Sequence, residues 1–149
     1  MNIVLGSDEQ TYLTDVLREE LTRRGHDFIL VGPLAGTQAI WPDVGRAVGE
    51  TVATGHADQG IVCCYTGTGV SIAANKVPGI RAALCHDAQT AVGARKWNDA
   101  NVLALSLRTT TPELAREILD AWFATACPPS EHDALAAVDA IDRDYRTST

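Results

Sequence analysis

The sequence predicts a three-layer, doubly wound α/β domain: a five-stranded parallel sheet with helices on both faces and one further helix at the C-terminus. Three observations predict it. Short runs of β-branched and other apolar residues alternate with longer helical stretches, the pattern of a parallel sheet covered on both sides. At 149 residues the chain fits one domain, 1–149, large enough to bury most of what its unfolded form exposes. Apolar residues make up 46% and charged residues 21%, the values of an ordinary globular chain rather than a disordered one.

Each element has a local reason. Residues 2–5, Asn-Ile-Val-Leu, form the first strand, which ends in Gly6-Ser7-Asp8. A helix over 11–24 carries Leu13, Val16, Leu17 and Leu21 on one stripe and is closed by Gly25. Residues 27–31 are the second strand. After a loop, Pro42 suits the first turn of a helix that runs to 54 and is again closed by glycine. Residues 60–64 are the third strand, made a buried one by Ile61 and Val62. The turn Thr66-Gly67-Thr68-Gly69 leads into a helix over 70–75. Strand four covers 81–85 and is followed by a helix over 88–96; strand five covers 102–105 and is followed by a helix over 112–125. Beyond Cys127-Pro128-Pro129 a last helix spans 131–143, a tail that packs on its own domain or on a partner subunit.

For five strands a 2-1-3-4-5 order is expected. It sets the carboxyl ends of strands one and three side by side at the topological switch point, where such sheets bind ligands. Those ends carry Asp8 and Cys64.

The net charge of −7 argues against nucleic acid or an acidic membrane surface as partner, while leaving room for an anionic small molecule held by a few local donors. The N-terminus reads as a strand, not as a secretory signal, and no apolar run is long enough to span a bilayer, so a cytoplasmic location is expected. Cysteines at 63, 64, 85 and 127 lack C-x-x-C spacing and the histidines are scattered, which suggests neither a disulfide framework nor a metal site. Cys85 and Cys127 read as small buried hydrophobes.

The segment Cys64-Tyr65-Thr66-Gly67-Thr68-Gly69-Val70-Ser71 carries the chemistry. Its glycines let backbone approach a ligand closely, and successive amides ahead of a helix form an anion nest. Ile72 stands where a dinucleotide fingerprint needs its third glycine, and the chain has neither a G-K-[S/T] P-loop nor a G-x-S-x-G elbow. The segment is a cradle for negative charge with a thiol at its edge. Cys63 and Cys64, adjacent on a strand, point to opposite faces, so one packs the core and the one nearer the turn reaches the ligand.

The run 60–64, the turn 66–69 and the long block 71–84, Ser-Ile-Ala-Ala-Asn-Lys-Val-Pro-Gly-Ile-Arg-Ala-Ala-Leu, closely resemble the ribose-5-phosphate isomerase B and galactose-6-phosphate isomerase family. Asn98-Asp99-Ala100-Asn101-Val102-Leu103-Ala104-Leu105 resembles a second family block, and Gly6-Ser7-Asp8 and Trp41-Pro42-Asp43 resemble two more. The resemblance implies a Rossmann-like fold, a homodimer or tetramer with shared active sites, and aldose–ketose isomerisation of a sugar or sugar phosphate without metal or cofactor. It also implies roles. Cys64 is the base that forms a cis-enediolate, and the amides of Gly67, Thr68, Gly69, Val70 and Ser71 hold the oxyanion. Thr66 lies beside the reacting oxygens, Asp8 binds substrate hydroxyls, Asn98 makes a substrate contact and Arg108 is a phosphate arginine.

Departures from that pattern bear on the substrate. Glu9 follows Asp8 where the family reads histidine, and Trp97 precedes Asn98 in place of the histidine that opens the sugar ring. Near the C-terminus, Glu131-His132-Asp133-Ala134-Leu135 stands where the family carries Arg-His-x-x-Arg, leaving Arg143 and Arg146 as candidate replacements. The reading is a metal-independent aldose–ketose isomerase whose preferred substrate is not ribose 5-phosphate. The alternative is a non-catalytic or partner-dependent subunit of a hetero-oligomeric sugar-phosphate isomerase.

Overall fold

The computed structural model describes residues 1–146. Five strands, β1 (Asn2–Ser7), β2 (Asp27–Val31), β3 (Gln59–Cys64), β4 (Ala82–Leu84) and β5 (Val102–Ser106), alternate with α1 (Tyr12–Arg23), α2 (Trp41–Ala53), α3 (Thr68–Ala74), α4 (Ala88–Asn98), α5 (Pro112–Ala124) and α6 (His132–Arg146). All strand pairs are parallel. Helix starts follow local chemistry: Thr11, Asp87 and Thr111 accept amides of the first turns of α1, α4 and α5.

The sheet order is β2-β1-β3-β5-β4, which corrects the expected 2-1-3-4-5. Burial explains the exchange. Every residue of β5 (Val-Leu-Ala-Leu-Ser) is buried, whereas three-residue β4 is only partly covered. The more apolar strand takes the interior slot and the shorter one the edge. The switch point between β1 and β3 is unaffected.

Strand alternation divides the core in two. Ile3, Leu5, Ile61, Cys63, Leu103 and Leu105 meet α1, α4 and α5 on one face; Val4, Val62, Cys64, Val102 and Ala104 meet α2 and α3 on the other. Crossovers of one hand require this split, because the chain steps one way along the sheet through α1 and α4 and the opposite way through α2 and α3. Helix α6 stands apart, with no buried residue.

The long block around β4 is wiring. The Asn75 side chain pairs with both backbone groups of Ala82, at 2.7 and 2.9 Å, and so continues the ladder along the sheet edge. Asn101 accepts the Arg81 amide at 2.8 Å and donates to the Gly79 carbonyl at 2.9 Å. Asp99 bonds Arg81 and Arg95 while holding a left-handed φ of 43°.

Candidate active site

At the carboxyl end of β1, the Ser7 hydroxyl donates to the Glu9 carbonyl at 2.6 Å and accepts the Glu9 amide at 3.3 Å. This tight turn presents Asp8. One Asp8 carboxylate oxygen is buried and has no hydrogen-bond partner among the described residues. Burial raises the Asp8 pKa from its ordinary value, against the pull of a backbone amide and with a smaller push from the neighbouring Glu9 charge. Asp8, Gln38 and Asp43 line an open groove of about 600 Å³ between this turn and the start of α2.

Ser7 pairs with Cys63, so Asp8 and Cys64 end neighbouring strands, about 4.8 Å apart in backbone spacing. The adjacent cysteines have separate surroundings. Cys63 is sealed at 0% exposure on the α1, α4 and α5 face, and burial pushes its thiol far up. Cys64 faces α2 and α3 and retains 5% exposure at the edge of the turn. The Cys64 carbonyl accepts the amides of Gly67 at 3.2 Å and Leu107 at 2.9 Å, locking the turn to the end of β5. Cys85 is buried and pushed up to about 12 by that burial, and Cys127 is partly exposed.

The turn needs its glycines. Gly67 has φ +76°, and a Cβ there would lie 2.6 Å from Leu84 and 2.9 Å from the Leu105 backbone. A Cβ on Gly69 would lie 2.9 Å from the Trp41 ring, so the indole rests directly on the turn. Helix α3 begins at Thr68, two residues earlier than the sequence suggests, so the turn is itself the helix start. The expected row of five donors is correspondingly shorter. The Gly67 amide goes to Cys64 and the Ser71 amide to Gly67, which leaves Thr68, Gly69 and Val70 without an acceptor among the described residues. The hydroxyls of Thr66 and Thr68, both exposed, meet at 2.7 Å. Arg108 is exposed on the loop after β5, its amide bonded to the Tyr65 carbonyl at 2.9 Å.

Asp8, Glu9, Cys64, the 66–71 turn and Arg108 thus gather at the carboxyl end of the sheet. Trp97 and Asn98 do not join them. They end α4 at the amino edge, where the Asn98 carbonyl accepts the Arg81 side chain at 3.1 Å. The length of β5 separates the two groups, about 15 Å at roughly 3.3 Å per residue. Trp97 packs against Gly93 and is 57% exposed. With Asn75, Arg81, Leu135 and Tyr145 it lines a groove of about 760 Å³ between the sheet edge and α6. His132 is exposed at the start of α6. Arg146 bonds Asp142 and the Lys76 carbonyl, at 2.5 and 2.6 Å, which pins α6 to the loop before β4.

The described residues include no cluster of three or more metal-ligating side chains. No described helix is long and apolar enough to cross a membrane.

The chain as a whole has close parallels among known proteins. A model of the ribose/galactose isomerase family matches residues 3–140. The chain belongs to this family. It is 40% identical over 128 residues to the D-erythrulose-4-phosphate isomerase of Pectobacterium atrosepticum, covering 82% of each chain. It is 39% identical over 124 residues to the ribose-5-phosphate isomerase B of Escherichia coli, covering 83% of each. The solved ribose-5-phosphate isomerase B of Clostridium thermocellum superposes with a TM-score of 0.91 at 39% identity, over 97% of this chain and 99% of that one. Like its relatives, this member of the ribose/galactose isomerase family is an aldose–ketose isomerase.

The sequence marks Trp41-Pro42-Asp43 as a helix start and a family-like block but gives Trp41 and Asp43 no place in the site. Only the folded chain lays the Trp41 ring on Gly69 and brings Asp43 to the groove beside Asp8.

Proposed function

We propose that this isomerase interconverts an open-chain aldose phosphate and its ketose, with Cys64 as the base. The Cys64 thiolate removes the proton from the carbon next to the carbonyl, and the electron pair moves onto the carbonyl oxygen as a cis-enediolate. The amides of Thr68, Gly69 and Val70 and the Thr66 hydroxyl stabilise that oxygen, an effect worth about 3–4 kcal/mol per well-placed donor. Cys64 then returns the proton to the neighbouring carbon while a hydroxyl proton passes between the two substrate oxygens. Asp8 holds substrate hydroxyls and Arg108 draws the phosphate. The observation that carries this reading is the placement of Cys64, at the turn beside three amides that have no other acceptor among the described residues. The same placement favours a working enzyme over a non-catalytic subunit.

Trp97 and Asn98, and with them the α6 segment that carries His132, serve the site of a second subunit in a homodimer, because they lie a sheet-length from their own Cys64. Trp97 also speaks to the substrate. An indole cannot shuttle the proton that opens a sugar ring, so the site suits a substrate that has no ring to open. A four-carbon sugar phosphorylated on its terminal hydroxyl meets that condition, having no hydroxyl left to close a five-membered ring. The named activity of the Pectobacterium relative points the same way. The test is a side-by-side measurement of kcat/KM on D-erythrulose 4-phosphate and ribose 5-phosphate. The four-carbon substrate should be favoured by about 10²-fold or more, the scale at which binding and chemistry together discriminate. Efficient turnover of ribose 5-phosphate would overturn the substrate reading.

A further inference from the structure

The Thr66 and Thr68 hydroxyls meet at 2.7 Å, the ordinary length of a good O–H···O hydrogen bond, although both side chains are exposed. Threonines at the start of a helix usually spend their hydroxyls on nearby backbone amides. Neither does so here. Gly67 between them is left-handed at φ +76° and is the helix cap without any side-chain bond, so the hydroxyls are free to meet each other. The amides of Thr68, Gly69 and Val70 stay open as a result.

We infer that Thr68 is a positioning residue that sets which way the Thr66 hydroxyl points during isomerisation. The inference rests on the proposed role of Cys64 and its turn. In that reaction the two substrate oxygens exchange roles, since one begins as carbonyl and ends as hydroxyl and the other does the reverse. A group beside them must donate at one stage and accept at another. The paired hydroxyls can do both without moving a heavy atom. When Thr66 donates to Thr68, its lone pairs accept a substrate hydroxyl. When Thr68 donates to Thr66, the Thr66 proton is free for a substrate carbonyl or enediolate oxygen. Thr68 makes and breaks no covalent bond. Without its hydroxyl, Thr66 turns freely in water and is correctly aimed only part of the time.

The experiment compares wild type, Thr68→Val and Thr68→Ser on whichever of D-erythrulose 4-phosphate and ribose 5-phosphate the wild type converts, with Cys64→Ala as reference. Valine keeps the branched shape and removes the hydroxyl. Thr68→Val should lower kcat by about tenfold, the scale of one directed hydrogen bond, with KM changed less than about twofold. Thr68→Ser, which restores the oxygen but not the methyl, should recover at least roughly half of the lost kcat. A Thr68→Val enzyme with unchanged kcat, equal losses in the valine and serine variants, or a loss confined to KM would each overturn the inference. Failure of the cysteine-base mechanism itself looks different: Cys64→Ala would keep its turnover, or the wild type would convert neither sugar.

Discussion

Two adjacent cysteines at the end of one strand face opposite sides of the sheet, and their surroundings differ accordingly. Cys63 lies in the closed core under α1, α4 and α5, where burial pushes its thiol far above the range of a useful base. Cys64 points towards α2 and α3 at the end of the strand, where the chain turns back over it. Cys64→Ala should therefore lower turnover by about 10²-fold or more, the usual contribution of a positioned base, with the folded state unchanged by circular dichroism. Cys63→Ala should leave kcat within about threefold while lowering the melting temperature, because it removes a fully buried atom. Equal kinetic losses in the two variants, or a larger loss at Cys63, would place the base on the wrong side of the sheet. Alternation and the nearness of Cys64 to the turn made this contrast readable in the sequence, and the helices above each face complete it.

Between elements, α1 and α5 are clamped by a buried carboxylate. Glu20 is only 5% exposed and takes bonds from Arg23 at 2.7 Å, Arg24 at 3.2 Å and Arg116 of α5 at 2.9 Å. The Arg23 hydrogen bond above all, with Arg116 and the two nearby arginine charges, holds Glu20 at about 2, against the opposing effect of burial. A carboxyl whose folded pKa lies below its unfolded value adds stability above the unfolded value and loses it as pH falls towards the folded one. The melting temperature should fall between about pH 4.5 and pH 2 as this contribution is lost, and Glu20→Gln should flatten that part of the curve. Parallel wild-type and variant curves would assign the acid sensitivity to other carboxylates. The amphipathic stripes of both helices were plain in the sequence, but the clamp spans residues 20 and 116, and no local pattern joins them. The block around Asn75, Arg81, Asp99 and Asn101 has the same character. It marks the family strongly, yet those side chains brace strand β4 instead of touching the cysteine.

At the scale of the molecule, Cys64 with its turn and the Trp97–Asn98 end of α4 lie at opposite ends of one sheet, and the proposed dimer is what would bring them into one site. The chain should scatter light as at least a dimer at micromolar concentration. A sharper test mixes two inactive proteins. Cys64→Ala and Asn98→Ala should each lose most activity alone. Co-assembled in a two-fold dimer, they should recover about a quarter of wild-type activity, because half of the dimers are hybrids and each hybrid holds one intact site. No recovery from a demonstrated hybrid would mean that Asn98 serves its own subunit or none. The exposed Val138, Ile141 and Tyr145 of α6 and the neighbouring Trp97 form the apolar wall that such an assembly would cover.

By itself the sequence determined the alternation of strands and helices, the pairing of Asp8 with Cys64 at the switch point, the glycine turn and the family, because periodicity, turn chemistry and motif are all local. It missed the exchange of β4 and β5, since both are short apolar runs and only competition for the buried slot separates them. It placed donors at Gly67 and Ser71 whose amides the folded turn uses for itself. Trp41 on Gly69, the hydroxyl pair of Thr66 and Thr68, and the distance from Cys64 to Asn98 were settled by tertiary structure alone. Each depends on where backbone segments far apart in the chain, or rotated about a left-handed glycine, come to lie, and packing against neighbouring elements rather than local preference decides that.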